Sequence, residues 1–84
     1  MIGYDRLTKS QKEMFEKSYK AHTSEMDDSW KRVHSRENII DIKWDHQVNR
    51  LEVYFKWNHP KRNRMKVYYD NGEWYHLAPG EMFR

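Results

Sequence analysis

Between residues 10 and 36 the apolar positions return every three or four residues, and from Ile39 onward they return every second residue. In the first stretch Phe15, Tyr19, Met26, Trp30 and Val33 share one helical seam, with His22 and Ser29 filling it. The stretch contains neither glycine nor proline. Ser10-Gln-Lys-Glu13 has the spacing of a capping box, in which hydroxyl and carboxylate each satisfy a free backbone N–H of the first turn. One uninterrupted helix over this span would be about 40 Å long. That overhangs the strands that follow, which reach about 20–26 Å. Ser24-Glu-Met-Asp27 offers a second start signal just after the weakly apolar Ala21-His22-Thr23. The pattern therefore predicts two helices, over 10–21 and 24–36. A single protruding helix that pairs with a second copy is the alternative.

The period-two half reads as three successive hairpins. Pairing Asp45 with Arg50 sets Trp44 opposite Leu51, Ile42 opposite Val53 and Ile40 opposite Phe55, and brings Lys43 to Glu52 on the other face. Apolar side chains meet on one side and opposite charges on the other, which is what fixes a register. A turn through 58–64 sets Trp57 opposite Met65, Phe55 opposite Val67 and Val53 opposite Tyr69. Asn71-Gly72 is a strong two-residue hairpin signal, because both positions tolerate positive φ. It places Trp74 beside Tyr69 and His76 beside Val67, whereas a three-residue turn with a bulge turns Tyr75 and Leu77 inward instead. The expected fold is α+β: one or two N-terminal helices, about 10–36, packed on one face of a four-stranded antiparallel meander, about 39–77, as one domain over 1–84.

Composition adjusts this picture in two places. Charged residues make up 35% of the 84 positions, a level that alone would point toward disorder, but aromatic residues at 15% supply large buried area per side chain. The core is expected to consist of a few large rings. Cysteine is absent, which excludes disulfide staples, thiolate zinc sites and a cysteine nucleophile and suits a reducing, cytoplasmic setting. No apolar run approaches the ~20 residues of a membrane helix, and the N-terminus lacks the pattern of a signal peptide.

The face turned away from the helices carries the candidate chemistry. In the registers above, Tyr54, Tyr68 and Tyr75 line up across three adjacent strands, Lys56 lies opposite Lys66, and the loop beyond adds Lys61, Arg62 and Arg64. Like charges across a ladder destabilise it by up to ~1 kcal/mol, so folding alone does not choose that pair. Lysine and arginine attract phosphate or carboxylate, and tyrosines offer flat faces to bases or to a partner's side chains. The plain alternative is a solvated sheet surface, in which tyrosine serves as a strand former and lysine discourages edge-to-edge association. A net charge of +3 accommodates an anionic partner without demanding one.

Catalysis and metal binding find little support in the sequence. His22/Glu25 and His34/Glu37 have the i,i+3 spacing that shares a helix face, but no further ligand recurs at a matching spacing, and such pairs are common on surfaces. His22 reads as a partly buried, hydrogen-bonded ring and His76, if inward, as a core histidine. Asp45-His46 and Asn58-His59 lie at opposite ends of a strand about 26 Å long, too far apart for one active site. Glycine-rich phosphate loops, nucleophile elbows and paired-histidine zinc motifs are missing. Tyr4 and Leu7 near the N-terminus, and the large apolar residues of the tail 79–84, are candidates to close the edge of the core.

The expected function is a non-enzymatic binding protein without cofactor, catalytic residue or metal. It docks a face made of Tyr54, Lys56, Lys61, Arg62, Arg64, Lys66, Tyr68 and Tyr75 on nucleic acid or on an anionic protein surface, not on a membrane. The alternative is a small inhibitor or adaptor that acts through protein contacts alone, using exposed aromatics of the helical half or the tail. Either form is expected as a monomer, or as a homodimer through the helical half.

Overall fold

In the computed structural model of the protein, two helices lie on one face of a four-stranded antiparallel sheet; residues 3–59 and 62–76 are described, without the side chains of 58, 59 and 62. A 3-10 turn (Tyr4–Arg6) leads into α1 (Lys9–Ser24) and α2 (Asp28–Val33), and a second 3-10 turn (Arg36–Asn38) leads into the sheet. The strands β1 (Ile39–Asp45), β2 (Arg50–His59), β3 (Arg62–Asp70) and β4 (Glu73–His76) follow in spatial order 1-2-3-4. This is the α+β architecture that the change of period predicts. The tail 79–84 lies outside the described residues.

α1 begins earlier than Ser10 suggests. Thr8 is its cap: the Gln11 N–H donates to Thr8 Oγ1 at 3.2 Å, and the Thr8 N–H donates to Gln11 Oε1 at 2.9 Å. Both Thr8/Gln11 and Ser10/Glu13 satisfy the capping pattern. Leu7 decides between them, because its buried side chain fixes where the chain turns upward. The helical span breaks after Ser24, and Asp27 caps α2 by accepting from the Trp30 N–H at 2.9 Å. Two helices rather than one continuous rod are the result. Ser29, expected in the seam, is exposed, and Trp30 is 45% exposed. The short α2 turns its final residues, not its middle, toward the sheet.

The first hairpin pairs as expected from Ile42 with Val53 to Asp45 with Arg50, and the third pairs Tyr69 with Trp74 and Val67 with His76. Asn71 and Gly72 both have positive φ, 46° and 99°, as a two-residue turn demands. Two registers differ from the sequence reading. Ile39, not Ile40, lies opposite Phe55, because a bulge between Ile39 and Asp41 inserts one extra residue into β1. Ile39 is therefore the buried one. In β2–β3 the partners are Phe55 with Met65, Val53 with Val67 and Leu51 with Tyr69, a shift of two residues. The strands continue to His59 and Arg62 instead of giving way to a long loop, with an irregular step between Lys56 and His59. A shift of two preserves which side chains face inward.

Phe15, Ile42, Leu51, Val53, Phe55, Val67 and Tyr69 form the innermost core, walled by Trp44, Trp57 and Trp74. Leu7 belongs to this cluster and Tyr4 packs against it, its ring edge-on to Phe15 at 5.7 Å. Three polar side chains lie in the same layer with no solvent exposure: Ser18, His22 and His34. Ser18 Oγ accepts from the Gly72 N–H at 2.8 Å, and His22 Nδ1 meets the Tyr69 hydroxyl at 2.9 Å. Tyr19 donates to the His34 carbonyl at 2.6 Å, which joins α1 to the end of α2. Arg36 grips Glu16 with two nitrogens, at 2.9 and 2.6 Å, and holds that carboxyl below the usual range. Among the described residues no helix is long and apolar enough to cross a membrane.

Two predictions follow from this packing. Phe15→Ala should lower unfolding free energy by about 3–5 kcal/mol, whereas Thr8→Ala should remove only about 1 kcal/mol, both read from urea unfolding. Burial, reinforced by the neighbouring imidazoles, holds His22 at about 3, and burial lowers His34 as well. An unfolded histidine takes its proton near pH 6.5, so below that value the unfolded chain binds protons that the folded chain refuses. Stability should be full above about pH 6.5 and fall as the pH drops toward 3. Unfolding midpoints that stay level across that interval show that these rings are not held neutral.

Candidate binding face

Even-numbered residues of β2 and β3 point away from the helices, and the registers arrange them in rows. One row crosses all four strands as Lys43, Glu52, Tyr68 and Tyr75. The next holds Asp41, Tyr54 and Lys66, and the row at the hairpin end pairs Lys56 with Arg64. Tyr68 and Tyr75 are direct partners, but Tyr54 sits one row nearer the hairpin, so the expected straight line of three tyrosines is a diagonal. Lys56 faces Arg64 rather than Lys66, again through the shift of two. The like-charge contact persists with a different partner and still works against the ladder.

A carboxylate organises the middle of this face. Glu52 accepts from the Tyr54 hydroxyl at 2.7 Å and from the Tyr68 hydroxyl at 3.3 Å, one oxygen for each. Burial and then the bond to Glu52 push the Tyr54 hydroxyl well above its ordinary value. Cations surround the same rings. The Arg50 guanidinium lies 4.0 Å from the Tyr68 ring centre and 5.1 Å from that of Tyr75. Lys43, Arg64 and Lys66 stand 5.5–5.7 Å from the centre of Tyr54. These are cation–π distances, so rings and charges hold one another in place.

Arg50 is a member of this face that the sequence reading used only as a hairpin partner. Its even position in β2 was the signal. Its Nε is buried without a partner, pinned beneath the neighbouring ring.

Charge is unevenly spread over the face. Asp45, Asp70 and Glu73 gather at the end near the β3–β4 turn, while Lys56, Arg64 and Lys66 gather at the opposite end. Among the described residues, ion pairs join Arg6 and Lys43 to Asp41 at 3.3 and 3.8 Å, and none includes Lys56, Arg64 or Lys66. Lys61 lies outside the described residues, and Arg62 is described only as backbone of β3.

On the covered face the structure brings together three histidines that the sequence kept apart. His22 of α1, His34 at the end of α2 and His76 of β4 converge within 4.8 Å. His34, expected on the surface beside Glu37, is buried with no solvent exposure. Periodicity orients His22 and His76 inward, whereas His34 follows the last residue of α2 and is turned in by the docking of helix on sheet, which makes the three neighbours.

The Glu52 clamp yields a direct test. Glu52→Gln should lower the Tyr54 pKa while leaving it above the ordinary tyrosine value, since burial remains. Ring-carbon NMR shifts followed through alkaline pH measure it, with Tyr54→Phe assigning the signal. An unchanged pKa shows that the hydrogen bond does not hold the ring. Compared with protein-family models, curated proteins and solved structures, the chain matches none, so the geometry of its faces carries the functional reading.

Proposed function

We propose that the protein is a non-enzymatic binding protein that docks its uncovered sheet face on single-stranded nucleic acid. The observation that carries this reading is the cationic end of that face: Lys56, Arg64 and Lys66, without acid partners among the described residues, beside the rings of Tyr54, Tyr68 and Tyr75. The three cations neutralise phosphates and the rings stack unpaired bases. Glu52 repels phosphate, so the backbone of the bound strand follows the hairpin end and its bases reach toward the tyrosines. A duplex hides the base faces that such rings recognise, which favours a single strand. The cysteine-free composition suits a cytoplasmic setting for this role.

A second reading has its own observation. Trp30 is 45% exposed on the helical side and stacks on Trp57 at 5.8 Å, a surface aromatic of the kind that anchors protein contacts. An inhibitor or adaptor would use that side and leave the sheet face idle, and a homodimer through the helical half would use it too.

Titration against short single- and double-stranded DNA and RNA, at low and physiological salt, separates the two. Single strands should bind more tightly than duplexes, with log affinity falling against log salt at a slope of about −2, as expected for three phosphates. Lys56→Glu/Lys66→Glu should keep the fold and weaken binding at least about tenfold, while Glu52→Gln should strengthen it. No binding even at low salt overturns the nucleic-acid reading in favour of protein contacts.

A further inference from the structure

The three buried-side histidines present an arrangement that core packing does not explain. Ring centres lie 4.7 Å apart for His22 and His34, 4.8 Å for His22 and His76, and 5.1 Å for His34 and His76. The Nε2 atoms of His34 and His76 are 3.0 Å apart. Two imidazoles sharing a tetrahedral zinc ion, with bonds of about 2.0–2.1 Å, place their nitrogens about 3.3 Å apart. The His34–His76 pair is already near that spacing. One ring nitrogen from each of the three lies within 4.8 Å of the others, so the widest pair exceeds the zinc spacing by no more than about 1.5 Å.

The outer nitrogens are arranged as ligand histidines require. His34 Nδ1 is 2.9 Å from the Trp30 carbonyl oxygen, which can only accept. That nitrogen carries the proton, and Nε2 of the neutral ring therefore presents a lone pair toward His76. His22 Nδ1 lies 2.9 Å from the Tyr69 hydroxyl, which can donate or accept; when Nδ1–H donates to it, Nε2 is left with its lone pair. Fixing Nδ1 so that Nε2 faces the centre is the usual support of a metal-bound imidazole.

A hydrogen-bonded histidine core accounts for the His34–His76 contact. It does not account for His22 Nε2, which is buried and has no partner. His22 has no solvent exposure at all, and Trp74 covers its ring at 4.2 Å. Leaving a nitrogen unsatisfied there is unfavourable unless something else binds it.

We propose that His22, His34 and His76 form a binding site for one divalent first-row transition cation, with zinc as the reference ion. Three neutral imidazoles without carboxylate or thiolate suit zinc, copper, nickel or cobalt and not magnesium or calcium. His76 on the edge strand β4 is exposed, which gives the ion a path from solvent and leaves a fourth position for water. Bound there, the cation ties α1, the end of α2 and β4 together. The site lies on the face of the sheet opposite the proposed docking surface, so neither reading depends on the other.

The test uses untagged, chelator-treated full chain titrated with zinc by calorimetry and with cobalt(II) by visible absorption. Zinc should bind one ion per chain and raise the melting temperature, reversibly with chelator. Cobalt should give the intense visible bands of a tetrahedral site. His76→Ala, at the exposed member, should weaken binding by more than about 100-fold, whereas Tyr69→Phe, which keeps the buried ring, should weaken it by about 10–100-fold. His46→Ala, in the exposed β1–β2 loop, should change nothing. The proposal is overturned if neither ion binds, if cobalt gives only weak octahedral bands, or if His46→Ala weakens binding as much as His76→Ala. Should His76→Ala not fold, the stoichiometry and cobalt spectrum of the unmodified chain still decide the matter.

Discussion

Tyr69 is where the two layers of this protein meet. Its ring has no solvent exposure and packs against Phe15 of α1 at 6.0 Å, while its hydroxyl reaches His22 about two turns further along the same helix. Between them, Ser18 completes the attachment by accepting from the Gly72 N–H of the β3–β4 turn. An apolar contact alone would let a helix slide along a sheet, since dispersion and hydrophobic burial are weakly directional. Hydrogen bonds at both ends of the contact remove that freedom. The position of α1 then sets the rest: Tyr19 locates the end of α2, and Glu16 locates Arg36 before the chain enters β1.

Much of the fold was legible because a sheet with one covered face forces strict alternation. Leu51, Val53 and Phe55 against Met65, Val67 and Tyr69 have only one inward parity, and a register error of two residues leaves it intact. What alternation cannot show is where it is suspended. Ile39 and Ile40 are equally apolar neighbours, so the bulge that buries the first was invisible. The polar run after Trp57 resembled a loop because it contains no alternating apolar positions to mark a strand. The start of α1 was ambiguous for a related reason: two overlapping capping patterns were resolved by the docking of Leu7, a tertiary event.

The candidate sites divide along the same line. Tyr54, Lys56, Lys66, Tyr68 and Tyr75 were readable as one face from parity within strands. Glu52 was legible as the partner of Lys43, but its second task of holding two tyrosine hydroxyls needs the shifted register, which sets Tyr68 directly opposite it beside its own strand neighbour Tyr54. The histidine cluster was beyond reach of periodicity, since its members come from α1, the end of α2 and β4 and are 12 and 42 residues apart in the chain. Only the helix-to-sheet geometry joins them.

Both faces of the sheet depart from what folding alone favours, and in complementary ways. Outside, Lys56 faces Arg64 across the ladder without an acid between them, although a threonine or glutamate at either position would remove the repulsion. Inside, His22 occupies a volume that leucine or methionine could fill without leaving a nitrogen unpaired. A chain whose hairpins, caps and core otherwise agree locally and globally carries two features the fold does not need, the Lys56–Arg64 juxtaposition and the unpartnered Nε2 of His22, although His22 Nδ1 does anchor α1 through Tyr69. Such departures concentrate at sites that bind something. On the outer face the surplus is positive charge and calls for an anion. On the inner face it is a buried nitrogen without a partner, which suits the proposed cation in the tautomer whose Nδ1–H donates to Tyr69, so the two proposed sites would take ligands of opposite sign.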